Sequence, residues 1–174
     1  MIARHCRLRR EPLGRGRESK PDAYDTHGNP FELKSATKSG VTTARDVGLH
    51  TVREWRKRYW IVAVGRNLRS GFHMDALYVA HPSDLASFFD RIEARLAKDW
   101  DQCQEVIALA SGAGATPEKV ERVTVIMQRG ITINNPKIPL SLFSSHAKQI
   151  SHTNSAEAAL QIKEFTASKP LLSH

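Results

Sequence analysis

Apolar residues form short continuous runs in some stretches and recur every three to four positions in others, and the change of period marks the elements. Residues 59–65 (Tyr-Trp-Ile-Val-Ala-Val-Gly) and 74–80 (Met-Asp-Ala-Leu-Tyr-Val-Ala) are rich in β-formers. Separated by the polar stretch Asn67-Leu68-Arg69-Ser70-Gly71, they predict neighbouring core strands in the middle of a sheet. Pro82-Ser83-Asp84 then opens an amphipathic helix in which Leu85, Phe88, Phe89, Ile92 and Leu96 share one stripe. That helix runs to about Trp100, or as far as Ala110, where Ser111-Gly112-Ala113-Gly114-Ala115 breaks the pattern. Thr116-Pro117-Glu118 reads as a further helix start, although Val123, Val125 and Ile126 suit a strand equally. Residues 131–133 read as a strand ending in Asn134-Asn135-Pro136, after which Leu140, Leu142 and Phe143 are placed to pack on the sheet. Asn154-Ser155 caps a short helix carrying Leu160, Ile162 and Phe165.

Ahead of the core strands, residues 22–25 and 31–35 flank the turn formers Thr26-His27-Gly28-Asn29-Pro30, which predicts a short hairpin. From Thr43, a plausible N-cap, Val47, Thr51, Trp55 and Arg58 fall near one helical face. Residues 1–20 carry Arg4, Arg7, Arg9, Arg10, Arg15, Arg17 and Lys20 with almost no apolar periodicity. They read as an extended basic arm, which fits a disordered leader or a DNA-contacting segment.

Charge narrows the partner. Lys and Arg number 26 against 18 Asp and Glu, a net charge of +8, which favours polyanions through phosphate neutralisation and counterion release. The two cysteines, Cys6 and Cys103, and the scattered histidines have no metal-ligand spacing, which argues against a disulfide scaffold or zinc site. No run is long and apolar enough to span a bilayer or to follow the Arg-rich start as a secretory signal. A soluble, cytoplasmic protein with no membrane partner is expected.

The residues that carry chemistry lie in the hairpin. In a strand, successive side chains alternate, so Phe31 and Leu33 enter the core while Glu32 and Lys34 emerge together on the other face. Asp22, on the preceding strand, reaches that same face. Two carboxylates and the Leu33 backbone carbonyl then offer the hard oxygen ligands that magnesium prefers, with Lys34 to orient or help deprotonate an attacking water. An Asp followed by Glu-x-Lys is also compatible with an ordinary ion pair on a polar strand face.

The ordered set Gly16-Arg17-Glu18, Pro21-Asp22-Ala23-Tyr24-Asp25, Phe31-Glu32-Leu33-Lys34-Ser35, Tyr59-Trp60-Ile61-Val62-Ala63-Val64, Pro82-Ser83-Asp84-Leu85 and Ile133-Asn134-Asn135-Pro136-Lys137-Ile138-Pro139 resembles the type II restriction endonucleases of the PvuII type. The resemblance covers most of residues 14–146 and implies an α/β (α+β) fold with a PD-(D/E)xK core, a mixed central sheet flanked by helices. It implies Mg2+-dependent hydrolysis of double-stranded DNA at a short palindromic site, leaving 5'-phosphate and 3'-hydroxyl ends. Asp22 and Glu32 would hold the metal and Lys34 would be the catalytic lysine. Trp55 aligns with an aromatic residue near the scissile phosphate, while its helical spacing suits a core tryptophan equally. Asn134 and Asn135 match a pair that reads adenine, and Lys137 beside them is a further candidate DNA contact, although Asn-Asn-Pro is also a turn sequence.

The chain departs from that pattern in three places. Residues 44–46 are Ala-Arg-Asp where the family carries consecutive histidines near the central bases, so Arg45 would donate to guanine and Asp46 accept from cytosine or hold Arg45. A CAGCTG-like site is therefore left open at its central pairs. Only the basic arm, residues 1–15, precedes the nuclease domain at 16–152, where the family has a helical dimer segment. The region of about 101–132 is an insertion, and residues 153–174 form a helical extension. A homodimer is expected for a palindromic site, with a cognate DNA methyltransferase as genetic partner. A catalytically silent DNA-binding module and a structure-specific nuclease of the same core are the competing readings.

Overall fold

In a computed structural model of the chain, the described residues are all but 11–19, 38–39, 113, 131–132, 134 and 172–174. The fold is mixed α/β, built on a six-stranded sheet. Its strands are β1 (Arg9–Arg10), β2 (Ala23–Tyr24), β3 (Pro30–Ala36), β5 (Tyr59–Leu68), β6 (Gly71–Ala80) and β8 (Lys148–Ile150), in spatial order β1-β2-β3-β5-β6-β8. Neighbours run antiparallel except β3 and β5, which are parallel and place Glu32 opposite Trp60 and Lys34 opposite Val62.

The central strands follow from their composition. Both faces of β5 are covered, so a nearly unbroken apolar run is stable there. One face packs Trp60 and Val62 with Phe88, Phe89 and Leu96; the other packs Tyr59, Ile61 and Ala63 with Phe31, Leu77, Ile162 and Phe165. The hairpin from β5 to β6 turns at Arg69-Ser70 into Gly71, whose φ of 118° favours glycine. Register shifts at Val64/Gly65, where a Cβ on Gly65 would meet the His73 carbonyl oxygen at 2.0 Å, so this bulge also requires glycine.

A second, two-stranded sheet joins β4 (Gly40–Thr42) to β7 (Lys137–Pro139) antiparallel. Helix α2 (Leu49–Trp55) connects toward β5. It begins five residues later than the Thr43 N-cap predicted, because Thr43 Oγ1 donates instead to the Pro136 carbonyl at 2.7 Å and Val47 bridges to Ile133. The helix ends at Trp55, so Arg58 lies beyond it, in the turn into β5. The stripe from Leu85 onward forms a 3-10 turn, Pro82–Leu85, and the long α3 (Ala86–Ala110), with Leu85, Phe88, Phe89, Ile92 and Leu96 all buried. The segment open to both readings is helical, α4 (Pro117–Gly130). Helix α5 (Leu140–His146) buries Phe143.

The first ten residues pack more closely than the sequence suggested, whereas the helix expected after Asn154 is present. Instead of an extended arm, residues 2–5 form one helical turn, α1 (Ile2–His5), with Ala3 and Cys6 buried, and Arg9-Arg10 pairs with β2. The rest of the expected arm, residues 11–15, lies outside the described residues. Helix α6 (Ser155–Ser168) is capped by the Asn154 side chain, which accepts from Ala156 N and Glu157 N, and buries Ile162 and Phe165 against the sheet. No helix among the described residues is long and apolar enough to cross a membrane.

Candidate active site

The hairpin that carries the carboxylates is built by Asp25. Its side chain accepts from His27 N and Asn29 N, both at 2.9 Å, closing the turn ahead of β3, with Gly28 at a φ of 83°. Across the hairpin, Asp22 N donates to the Phe31 carbonyl at 2.9 Å, and Asp22 Oδ2 accepts from Leu33 N at 2.8 Å. The Asp22 carboxylate is thus tied to the backbone between Glu32 and Lys34.

On β3, Phe31 and Leu33 face one core cluster while Ala36 faces the other, so strand alternation sets Glu32 and Lys34 on the Ala36 side. Lys34 Nζ lies 2.7 Å from Glu32 Oε1 and 3.9 Å from Asp22 Oδ2. The three residues singled out from spacing therefore converge, with the ammonium beside both carboxylates. Asp22 and Lys34 keep partial exposure, with side chains 32% and 19% accessible, whereas Glu32 is buried at 6%.

Burying a carboxylate is costly without a partner. Glu32 has a second one that sequence reasoning missed. Arg58 Nη1 donates to Glu32 Oε2 at 2.9 Å and to the Lys20 carbonyl at 3.0 Å. Arg58 is 2% exposed. The only signal for it was a charged residue directly before an apolar strand, and its meaning depends on the parallel pairing of β3 with β5. The turn bearing Arg58 is anchored by Arg56, whose guanidinium takes Glu93 at 2.8 and 3.2 Å and lies over Phe89.

Among the described residues, no three His, Cys, Asp or Glu side chains gather as a metal cluster. Asp22 and Glu32 are two, and both are hard oxygen donors, which suit hard divalent ions such as Mg2+, Ca2+ or Mn2+ better than soft, thiolate-seeking metals. Cysteine chemistry is a poor alternative: both thiols are buried, and burial pushes Cys6 up to about 12, so it carries no thiolate at neutral pH.

The segments expected to read bases also meet. Asn135 N donates to the Ala44 carbonyl at 3.0 Å, and Val47 and Ile133 exchange backbone bonds at 3.0 and 2.9 Å. Residues some ninety positions apart thereby form the end of one small ribbon continuous with β4 and β7. Arg45, Asp46 and Lys137 are exposed there. Asp46 and Asn135 adopt left-handed backbone, φ 51° and 46°, which Asp and Asn tolerate best after glycine. Asn134 lies outside the described residues. Trp55 is elsewhere: at 1% exposure it packs edge-to-face on Trp60, the core role that its helical spacing allowed.

Residues 7–107 match the family model described as Restriction endonuclease PvuII. The chain belongs to this family. More than half of its 174 residues are matched, including Asp22, Glu32, Lys34 and Arg45, while Asn135 and Lys137 lie beyond the match. The PvuII-family chain is accordingly a type II site-specific deoxyribonuclease, a hydrolase acting on double-stranded DNA. Type II restriction endonucleases are generally metal-dependent.

Proposed function

We propose that the chain cuts both strands of a short palindromic DNA site in a Mg2+-dependent hydrolysis at Asp22, Glu32 and Lys34. The observation that carries this is the convergence of Lys34 Nζ on both carboxylates, within 4 Å of each, with Asp22 and Lys34 partly exposed. Asp22, Glu32 and the Leu33 carbonyl would hold the ion. When bound, Mg2+ lowers the pKa of an attacking water and offsets charge on the phosphate. Lys34 orients the water oxygen toward phosphorus and stabilises the negative charge that builds as its proton leaves. Water oxygen bonds to phosphorus, the bond to the 3' oxygen breaks, and that oxygen takes a proton. The ends are a 5'-phosphate and a 3'-hydroxyl.

Reading would fall to the ribbon. Asn134 and Asn135 supply amides that suit adenine N6 and N7; Arg45 suits guanine, with Asp46 accepting from cytosine or bracing Arg45; Lys137 suits backbone phosphate. Because each chain carries one cutting site, cleavage of both strands of a palindrome calls for a two-fold homodimer. A host encoding this activity would need a methyltransferase of matching specificity to protect its own DNA.

Digestion of a long duplex of known sequence tests this reading. With Mg2+, discrete bands that map to one palindrome are expected, with none in EDTA. A smear would instead indicate a nuclease that selects structure, and intact DNA across Mg2+, Mn2+ and Co2+ would sink the proposal. With the site mapped, Arg45→Ala should cost about 1–3 kcal/mol of discrimination at one guanine, read as cleavage of the cognate site against singly substituted ones. Equal weakening on every sequence would mark Arg45 as a phosphate contact.

A further inference from the structure

We propose that Arg58 is a positioning residue for the cutting site: it fixes the Glu32 carboxylate relative to the segment that carries Asp22. The proposal rests on the reading of Asp22, Glu32 and Lys34 given above. A single nitrogen of Arg58, Nη1, has two hydrogens and spends them on two elements. One goes to Glu32 Oε2 at 2.9 Å, the other to the Lys20 carbonyl at 3.0 Å, two residues before Asp22. The two carboxylates are therefore referred to one rigid, planar group. Lys34 sits on the opposite oxygen of Glu32, at 2.7 Å. With Oε2 accepting from Arg58, Glu32 keeps Oε1 turned toward Lys34, so a metal held by Glu32 and Asp22 would meet a carboxylate whose rotamer is already set.

The position of Arg58 supports a role beyond stability. It is 2% exposed, on a turn with Arg58 N donating to the Trp55 carbonyl at 3.3 Å, and Arg56 clamps that turn to Glu93 of α3. The guanidinium is thus held from behind and aimed at Glu32. An apolar side chain could fill this position without charge in a fold that did not need Glu32 in place.

The test uses Arg58→Gln, Arg58→Lys, Glu32→Gln and the double variant Glu32→Gln/Arg58→Gln. Each is melted, titrated with Mn2+ alone by the EPR signal of the free ion, and assayed for single-turnover cleavage of the mapped site. Arg58→Gln should weaken Mn2+ binding and slow cleavage each by about 10- to 100-fold, while specific DNA binding in Ca2+ changes little. Arg58→Lys should recover part of both losses, because an ammonium restores the charge but not the two-way bond. The double variant should cut no more slowly than Glu32→Gln alone, as expected if Arg58 acts through Glu32. A folded Arg58→Gln protein with wild-type Mn2+ affinity and rate overturns the proposal, as does a double variant in which the two losses multiply. Should Arg58→Gln fail to fold, Arg58→Lys decides: weakened Mn2+ binding at an unchanged melting temperature supports the role, and wild-type binding and rate remove it. Glu32→Gln separates the levels. If it cuts at the wild-type rate, the cutting-site reading itself is lost; if it is inactive while Arg58→Gln is normal, only the role of Arg58 falls.

Discussion

Lys34→Ala is expected to slow cleavage by at least about 10²- to 10⁴-fold while leaving specific DNA binding in Ca2+ close to wild type. The fold should survive, because Glu32 keeps Arg58 at 2.9 Å and Asp22 keeps its bond to Leu33 N. What is lost is the cation beside both carboxylates, 2.7 and 3.9 Å away. Two negative groups facing a phosphate then repel DNA unless a metal offsets them, so the variant should bind duplex more weakly than wild type in EDTA and recover in Ca2+. Lys34→Arg should restore binding in EDTA without restoring the rate, since the longer planar fork cannot occupy the ammonium's position. The measurements are single-turnover cleavage and a binding isotherm with and without Ca2+. Normal cutting by Lys34→Ala would remove Lys34 from the chemistry, and a parallel loss of binding in Ca2+ would make it a DNA contact instead.

The legible parts of the fold are those whose signal is local. Continuous apolar runs gave β5 and β6, the stripe from Leu85 to Leu96 gave α3, and Thr26-His27-Gly28-Asn29-Pro30 gave the hairpin that brings Asp22 to Glu32 and Lys34. Alternation along a single strand was enough to put Glu32 and Lys34 on one face. What was not legible depends on partners distant in sequence. Thr43 has the chemistry of an N-cap, yet its hydroxyl is taken by Pro136, ninety-three positions away, and the helix starts at Leu49. Arg58 gains its meaning only when β3 and β5 pair in parallel, because that register sets the turn before Tyr59 beside Glu32. The arginines of the first ten residues conceal Ala3 and Cys6, which are buried, and Ile2 and Leu8, which pack against the core beside them. In each case long-range packing overrode a local preference that was itself correctly read.

Trp55→Ala is the second large effect expected, and it separates two roles that the sequence leaves equal. Trp55 is fully enclosed, its ring 5.5 Å from Trp60 at an interplanar angle of 81°, and its carbonyl accepts from Trp60 Nε1 at 3.3 Å. Truncation should cost about 3–5 kcal/mol, roughly 10 °C or more in Tm at this chain length, because the cavity lies between packed elements with little room to collapse. Trp55→Phe should restore most of that stability. DNA affinity of the folded fraction in Ca2+ should not change, since no part of the ring reaches a surface that DNA could touch. Cleavage by the folded fraction should nevertheless fall, because the Trp55 carbonyl also accepts from Arg58 N, and the turn that aims Arg58 at Glu32 loses its support when α2 loosens. A variant that melts near the wild-type temperature but binds DNA weakly would place Trp55 at the phosphate after all. Loss of stability together with loss of rate, at constant affinity, makes it the core residue through which packing reaches the cutting site.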